Sequence, residues 1–150
     1  MTTLSDPAFV DTNVLVYAAD ESAAFHGACQ HLLDRAADGA LQLVLSPQIL
    51  SEFVAVVTNP NVMPRPLSPD DAYAHAEQLG SICRVVTPMP AVVQRWISLL
   101  RQTGISGKRV HDMLHVATML ESGIEQIYTY DSGFVSVPGI TVLDPKDAAQ

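Results

Sequence analysis

Asp11 breaks the apolar run "FVDTNVLVYAAD", Glu52 sits in "LSPQILSEF", Asp112 opens "HDMLHVATML" and Asp131 closes "IEQIYTYD". Singly, each acid has an ordinary structural role. Asp11 suits the N-cap of a helix starting at Thr12. Glu52 reads as a charged flank of a surface helix. Asp112 complements a helix dipole, worth roughly 0.3–1 kcal/mol. Asp131 starts a "DSG" turn. Taken together the four require a shared explanation. Carboxylates brought within several ångströms repel, and protonation or a cation must relieve them. Oxygen-only ligation suits Mg²⁺ or Mn²⁺. Such an ion activates water and neutralises charge on a reacting phosphate, so phosphodiesters and phosphate esters are the matching substrates.

The elements that would hold these acids follow from the pattern. "AFVD", residues 8–11, reads as a short buried strand entering a helix at Thr12. "AFHGACQHLLDRAADG" has helical spacing and stops at Gly39. "LQLVLS" is a second buried strand, closed by Ser46 as N-cap and Pro47 in the first turn of "PQILSEFVAVVTN". In that helix Ile49, Leu50, Phe53, Val54 and Val57 form an apolar stripe with Glu52 at its edge. The proline-rich "NPNVMPRPLSPDD" is a loop, and Ser68 caps the helix after it. "CRVVTP" is a third strand, "PAVVQRWISLLRQTG" a helix stopped by Gly104, and "GISGKR" a loop. "VHDMLHVATMLESG" is a helix, apolar nearly all round after Asp112 and therefore buried. "IEQIYTYD" and "GITVLDP" supply a fourth and a fifth strand.

Alternating strands and helices imply a mainly parallel sheet of four to five strands covered on both faces. Residues 1–150 then form one three-layer α/β domain. Sheets of this kind bind ligands beyond the carboxyl ends of their strands. Asp11 and Asp131 fall at strand ends and Glu52 near a helix start on the same edge. Asp112 must be carried there by the "GISGKRV" loop.

Composition narrows the class. The chain has 150 residues, 48% hydrophobic and 16% charged, which is globular rather than disordered. No apolar run approaches the roughly 18 residues of a membrane span. "MTTLSDPAF" lacks the pattern of a secretory signal, so a cytoplasmic location is expected. Cys29 and Cys83 match no metal spacing and read as reduced, partly buried thiols. The net charge of -8 opposes a polyanionic partner, yet Arg84, Arg95, Arg101, Lys108 and Arg109 fall within one segment and could make one face basic. His111 and His115 read as helix residues with local hydrogen bonds. His26 and His31 do not share a helix face, and Trp96 reads as a core or dimer contact.

The set "FVDTNVLVYA", "LSPQILSEF", "NPNVMPRPLSPDDA", "VHDMLHVATMLESG" and "IYTYDSGF", spanning about residues 8 to 143, resembles the PIN-domain family, and more narrowly its VapC-type ribonuclease toxins. The resemblance implies a Rossmann-like sheet with an acidic Mg²⁺ site at its carboxyl edge. It implies Asp11, Glu52, Asp112 and Asp131 as the four catalytic acids, with a polar Thr12 or Asn13 beside the first. It further implies cleavage of structured RNA, tRNA or rRNA, inhibition by a cognate antitoxin, and a homodimer.

On this reading Asp11, Asp112 and Asp131 hold the metal, and Glu52 orients or deprotonates the attacking water. Asn13, Arg84, Arg101, Lys108 and Arg109 would contact the RNA. Three other classes can be compared. A receiver domain needs an acidic pair and a late-strand Lys, whereas this chain has only Lys108 and Lys146, neither on an expected strand. Dehalogenase-type phosphotransfer needs an Asp where Asn13 stands. A non-catalytic scaffold of the same fold is the alternative that the intact acids disfavour.

Overall fold

The computed structural model describes residues 6–131, 134 and 137–149. Strand β1 (Ala8–Val10) leads into α1 (Thr12–Ala19) and α2 (His26–Ala37). Next come β2 (Leu43–Leu45), α3 (Pro47–Val57), α4 (Pro69–Ile82) and the two-residue β3 (Arg84–Val85). The chain then runs through α5 (Pro90–Thr103), a 3-10 turn (Gly107–Arg109), α6 (Val110–Glu121), β4 (Gln126–Tyr128) and β5 (Thr141–Leu143). Each expected element is present. The third strand is shorter than "CRVVTP" suggested, because it forms an exposed edge and pairs only with β2.

The sheet has five parallel strands in the order β3-β2-β1-β4-β5. From β1 the chain moves outward to β2 and β3, then crosses back to pair β4 with the other side of β1. Right-handed crossovers place the helices of these two excursions on opposite faces. The packing agrees: α1 lies on α2 and α3, and α3 on α4, while α5 packs on α6. The point where the strand order reverses lies between β1 and β4, where open α/β sheets form their binding crevice.

Apolar burial holds this frame. Every residue of β1 and β2 is buried, as are Ile127 and Tyr128 of β4. Phe9, Leu15, Leu32, Ile49, Phe53, Met113, Met119 and Ile127 are fully enclosed, each worth about 1.5–3 kcal/mol by area removed from water. Ser46 and Ser68 cap α3 and α4 by accepting from the amides of Ile49 and Asp71, with proline in each first turn. Gly104 ends α5 in the left-handed region at φ 69°, where a side chain would be strained. The indole Nε1 of Trp96 donates to the Val110 carbonyl at 2.8 Å and ties α5 to the start of α6. Trp96 also packs against the core, which settles the core half of its expected role.

Candidate active site

Asp11 follows β1 directly and is the N-cap of α1. Its Oδ1 accepts from the Thr12 amide at 2.8 Å. Its Oδ2 accepts from the Thr129 hydroxyl at 2.7 Å. The cap role and the site role are therefore one placement, because a helix that starts where a strand ends puts its capping acid at the sheet edge. Burial pushes the Asp11 carboxyl above its ordinary value, against the hydrogen bonds from Thr129 and Thr12 and the charge of His115.

Glu52 reaches the same edge from α3. Its Oε2 accepts from the Thr12 hydroxyl at 2.7 Å and from His115 Nε2 at 3.3 Å, and its Oε1 from Gln48 Nε2 at 3.1 Å. Burial pushes the Glu52 carboxyl up. The hydrogen bond and charge of His115, with the Thr12 and Gln48 donors, outweigh that and hold it below its ordinary value. The side chain at position 52 is thus a half-exposed carboxylate, fixed in place by three elements.

Asp112 lies in the first turn of α6. The turn Gly107–Arg109, opened by Gly107 at φ 67°, brings that helix start to the site, as the "GISGKRV" loop was expected to do. The Asp112 carboxyl is raised by burial first, then by the charges of Asp11 and Asp131; His115 and Arg109 act in the opposite sense. Asp131 follows β4, and its amide donates to Thr129 Oγ1 at 3.0 Å. Its carbonyl accepts from the Phe134 amide at 3.0 Å. Ser132 and Gly133 of the expected "DSG" turn lie outside the described residues.

One open pocket is lined by Asp11, Glu52, Asp112 and Asp131 together, with Thr12 and Asn13 between them. Asp20, the acid that ends the opening motif, lines it too. Val56, Val62, Met63 and Pro64 add apolar surface to the same lining. Among the described lining residues there is no Lys or Arg. Of the expected RNA contacts, Arg84, Arg101, Lys108 and Arg109 are exposed and line no part of the pocket, and the charge of Arg109 acts on Asp112. The Asn13 amide is engaged inside the fold: its Nδ2 donates to Thr129 Oγ1 and its Oδ1 accepts from the Tyr130 amide, both at 3.3 Å.

Two residues were not singled out correctly by sequence. Thr129 is buried and contacts Asp11, Asn13 and the Asp131 amide through one hydroxyl. Its only signal was its place two residues before Asp131 at a strand end. His115 was expected to bond locally, but its partner is Glu52, 63 residues away in sequence. The exception it made in an otherwise apolar helix was the signal. Cys29 and Cys83 are free and buried as expected, and burial raises their thiols to about 11 and about 12.

The chemistry of this cluster fits a hard cation. The donors facing the pocket are oxygens, and the mutual charge that raises Asp112 is what a divalent ion would neutralise. Among the described residues no three acidic, histidine or cysteine side chains already stand in ligating geometry, so these side chains would have to adjust to hold an ion.

Comparison with known proteins identifies the family of this fold. The PIN domain family model matches residues 8–140. Ribonuclease VapC43 of Mycobacterium tuberculosis is 40% identical over 141 residues, covering 92% of this chain and 95% of that protein. Ribonuclease VapC48 of the same species is 29% identical over 140 residues, covering 90% and 94%. The crystal structure of M. tuberculosis VapC20, described as a sarcin-ricin loop cleaving toxin, superposes with a TM-score of 0.62 at 23% identity, over 87% of this chain and 98% of that one. The VapBC2 structure from Rickettsia felis, bound to a promoter DNA fragment, gives 0.66 at 15% identity, over 92% and 98%. The acidic crevice at the sheet's switch point, the family match along nearly the whole fold and the identity to VapC43 agree: this chain belongs to the PIN-domain family, among the VapC ribonucleases.

Proposed function

We propose that this protein is a metal-dependent endoribonuclease and the toxin of a VapBC-type toxin–antitoxin pair. The observation that carries the reading is the lining of one crevice by Asp11, Glu52, Asp112 and Asp131, which are scattered over 120 positions of sequence. Asp11, Asp112 and Asp131 would hold the ion, Mg²⁺ or Mn²⁺. When bound, such an ion supplies Lewis acidity to the scissile phosphate and counter-charge to its transition state.

The chain's own residues do the rest. Glu52 accepts a proton from the attacking water: its donors keep the carboxyl ionised and fix its orientation, and Oε1 retains accepting capacity. Water attacks phosphorus in line, the bond to the 3′ oxygen breaks, that oxygen takes a proton from solvent, and the products carry a 5′-phosphate and a 3′-hydroxyl. Thr12 and Thr129 keep Glu52 and Asp11 in register. Arg84, Arg101, Lys108 and Arg109 would steer the RNA backbone towards a crevice that is itself negative, and Asn13 would hold the β4 end in place beside it. Structured RNA, tRNA or rRNA, is the substrate class, and the 150 residues act as one cytoplasmic domain. No helix among the described residues is long and apolar enough to cross a membrane. A cognate antitoxin would obstruct the crevice. A homodimer would use the α5 face, where Met89, Val93 and Ile97 are exposed at four-residue spacing.

The test is cleavage of tRNA and rRNA by purified protein with Mg²⁺, Mn²⁺ or EDTA, beside Asp112→Asn. Cation-dependent cleavage that the variant loses by about 100-fold or more is expected. Full activity of the variant would end the assignment.

A further inference from the structure

His115 is 2% exposed, on the buried side of α6, with its ring centroid 6.0 Å from that of Phe9. A histidine so deep in an apolar helix needs a polar reason. Its Nε2 lies 3.3 Å from Glu52 Oε2, while Nδ1 is buried with no hydrogen-bond partner among the described residues. The Glu52 carboxylate can only accept, so Nε2 carries the shared hydrogen, and Nδ1 is left buried without a partner among the described residues. Such an unpaired buried nitrogen costs folding free energy. The fold thus tolerates an unsatisfied nitrogen to place one N–H at the glutamate.

We infer that His115 is a positioning residue for Glu52, fixing the Oε2 edge of the carboxylate so that Oε1 remains the accepting edge for the substrate water. This inference rests on the nuclease reading above. Its logic lies in the sharing of donors. Oε2 is held from two other elements, Thr12 on α1 and His115 on α6. Oε1 has one donor, Gln48, from one turn earlier on its own helix, and keeps accepting capacity. Without His115 the carboxylate would be anchored across the site only by the Thr12 hydroxyl and could rotate about its terminal bond, which is a soft torsion.

The test compares wild type, His115→Leu, His115→Gln, Glu52→Gln and the double variant His115→Leu/Glu52→Gln on one RNA substrate, with kcat, KM and Tm measured for each. Leu should lower kcat about 10- to 100-fold, the range for residues that orient a site's own groups, and leave KM within about twofold. Its Tm should fall by no more than about 2 °C, because the unpaired nitrogen is removed together with the bond. Gln, which keeps an amide donor at similar reach, should restore most of kcat. In the Glu52→Gln background the Leu change should cost nothing further, since both act through one group. Leu with wild-type kcat, Gln no better than Leu, or additive losses in the double variant would each overturn the inference while leaving the nuclease reading intact. Wild type without cleavage would instead remove that reading, and this one with it. A His115→Leu chain that does not fold would show a structural role and would also overturn it.

Discussion

A carboxylate at this site is defined by the hydroxyl beside it. Thr12 donates to Glu52 while its amide caps onto Asp11, and Thr129 donates to Asp11 while accepting from Asn13 and the Asp131 amide. Thr129→Val keeps shape and removes the hydroxyl, leaving a buried carboxylate oxygen and an amide short of a partner. The expected loss is about 1–3 kcal/mol in denaturant unfolding, with a further fall in cleavage. Asp112 gives the opposite sign. Its folded-state carboxyl is raised by burial and by Asp11 and Asp131, so its charge opposes folding at neutral pH. The folded state takes up the proton first as pH falls, and the penalty is gone below the unfolded value of about 3.9. Asp112→Asn without divalent cation should therefore melt higher than wild type at pH 7, and the gain should shrink towards zero near pH 4. A Tm equal to or below wild type at pH 7 would contradict the shift.

The elements make the site by their starts rather than by their middles. Three helices, α1, α3 and α6, begin at or near the carboxyl edge, and each contributes an acid within its first turns or at its cap. Ser46 matters here because it fixes the start of α3 and so the height of Glu52 above the sheet. Ser46→Ala should cost about 1 kcal/mol in chemical denaturation, since a buried cap is lost. A variant as stable as wild type would mean that α3 is fixed by packing alone. The periodicity of "ILSEFVAVV" made this helix and the edge position of Glu52 legible in the sequence. No periodicity could reveal that Oε2 would meet His115, because that contact depends on how α3 and α6 lie around the sheet.

At the scale of the whole molecule, parallel order and a strand reversal between β1 and β4 draw the acids together, and the apolar core resists their repulsion. A cation that relieves this repulsion must stabilise the fold by linkage, by about 2.7 kcal/mol at one hundred times its dissociation constant. Titrating Mg²⁺ or Mn²⁺ should raise Tm for wild type and much less for Asp112→Asn. Because Asp11 and Asp112 are both raised, protons compete with the cation at higher pH than at ordinary carboxylates, so apparent affinity should weaken as pH falls towards the carboxylate range. An affinity that stays flat through the carboxylate range would argue that these two acids are not the ligands.

The alternation of apolar runs, the Ser-Pro helix starts and Gly104 determined the order of elements from the sequence alone, since caps, stops and periodicity act over a few neighbouring residues. The same local chemistry put Asp11 directly after β1; Asp131 was expected to close the fourth strand but lies three residues beyond Tyr128, where β4 ends. Only the tertiary structure decided that Thr129 would bridge Asp11 to the Asp131 backbone, that Asp20 would face the crevice and that His115 would bond Glu52. Those relations join residues up to 118 positions apart, and which side chains meet across such a gap is set by strand order and helix packing.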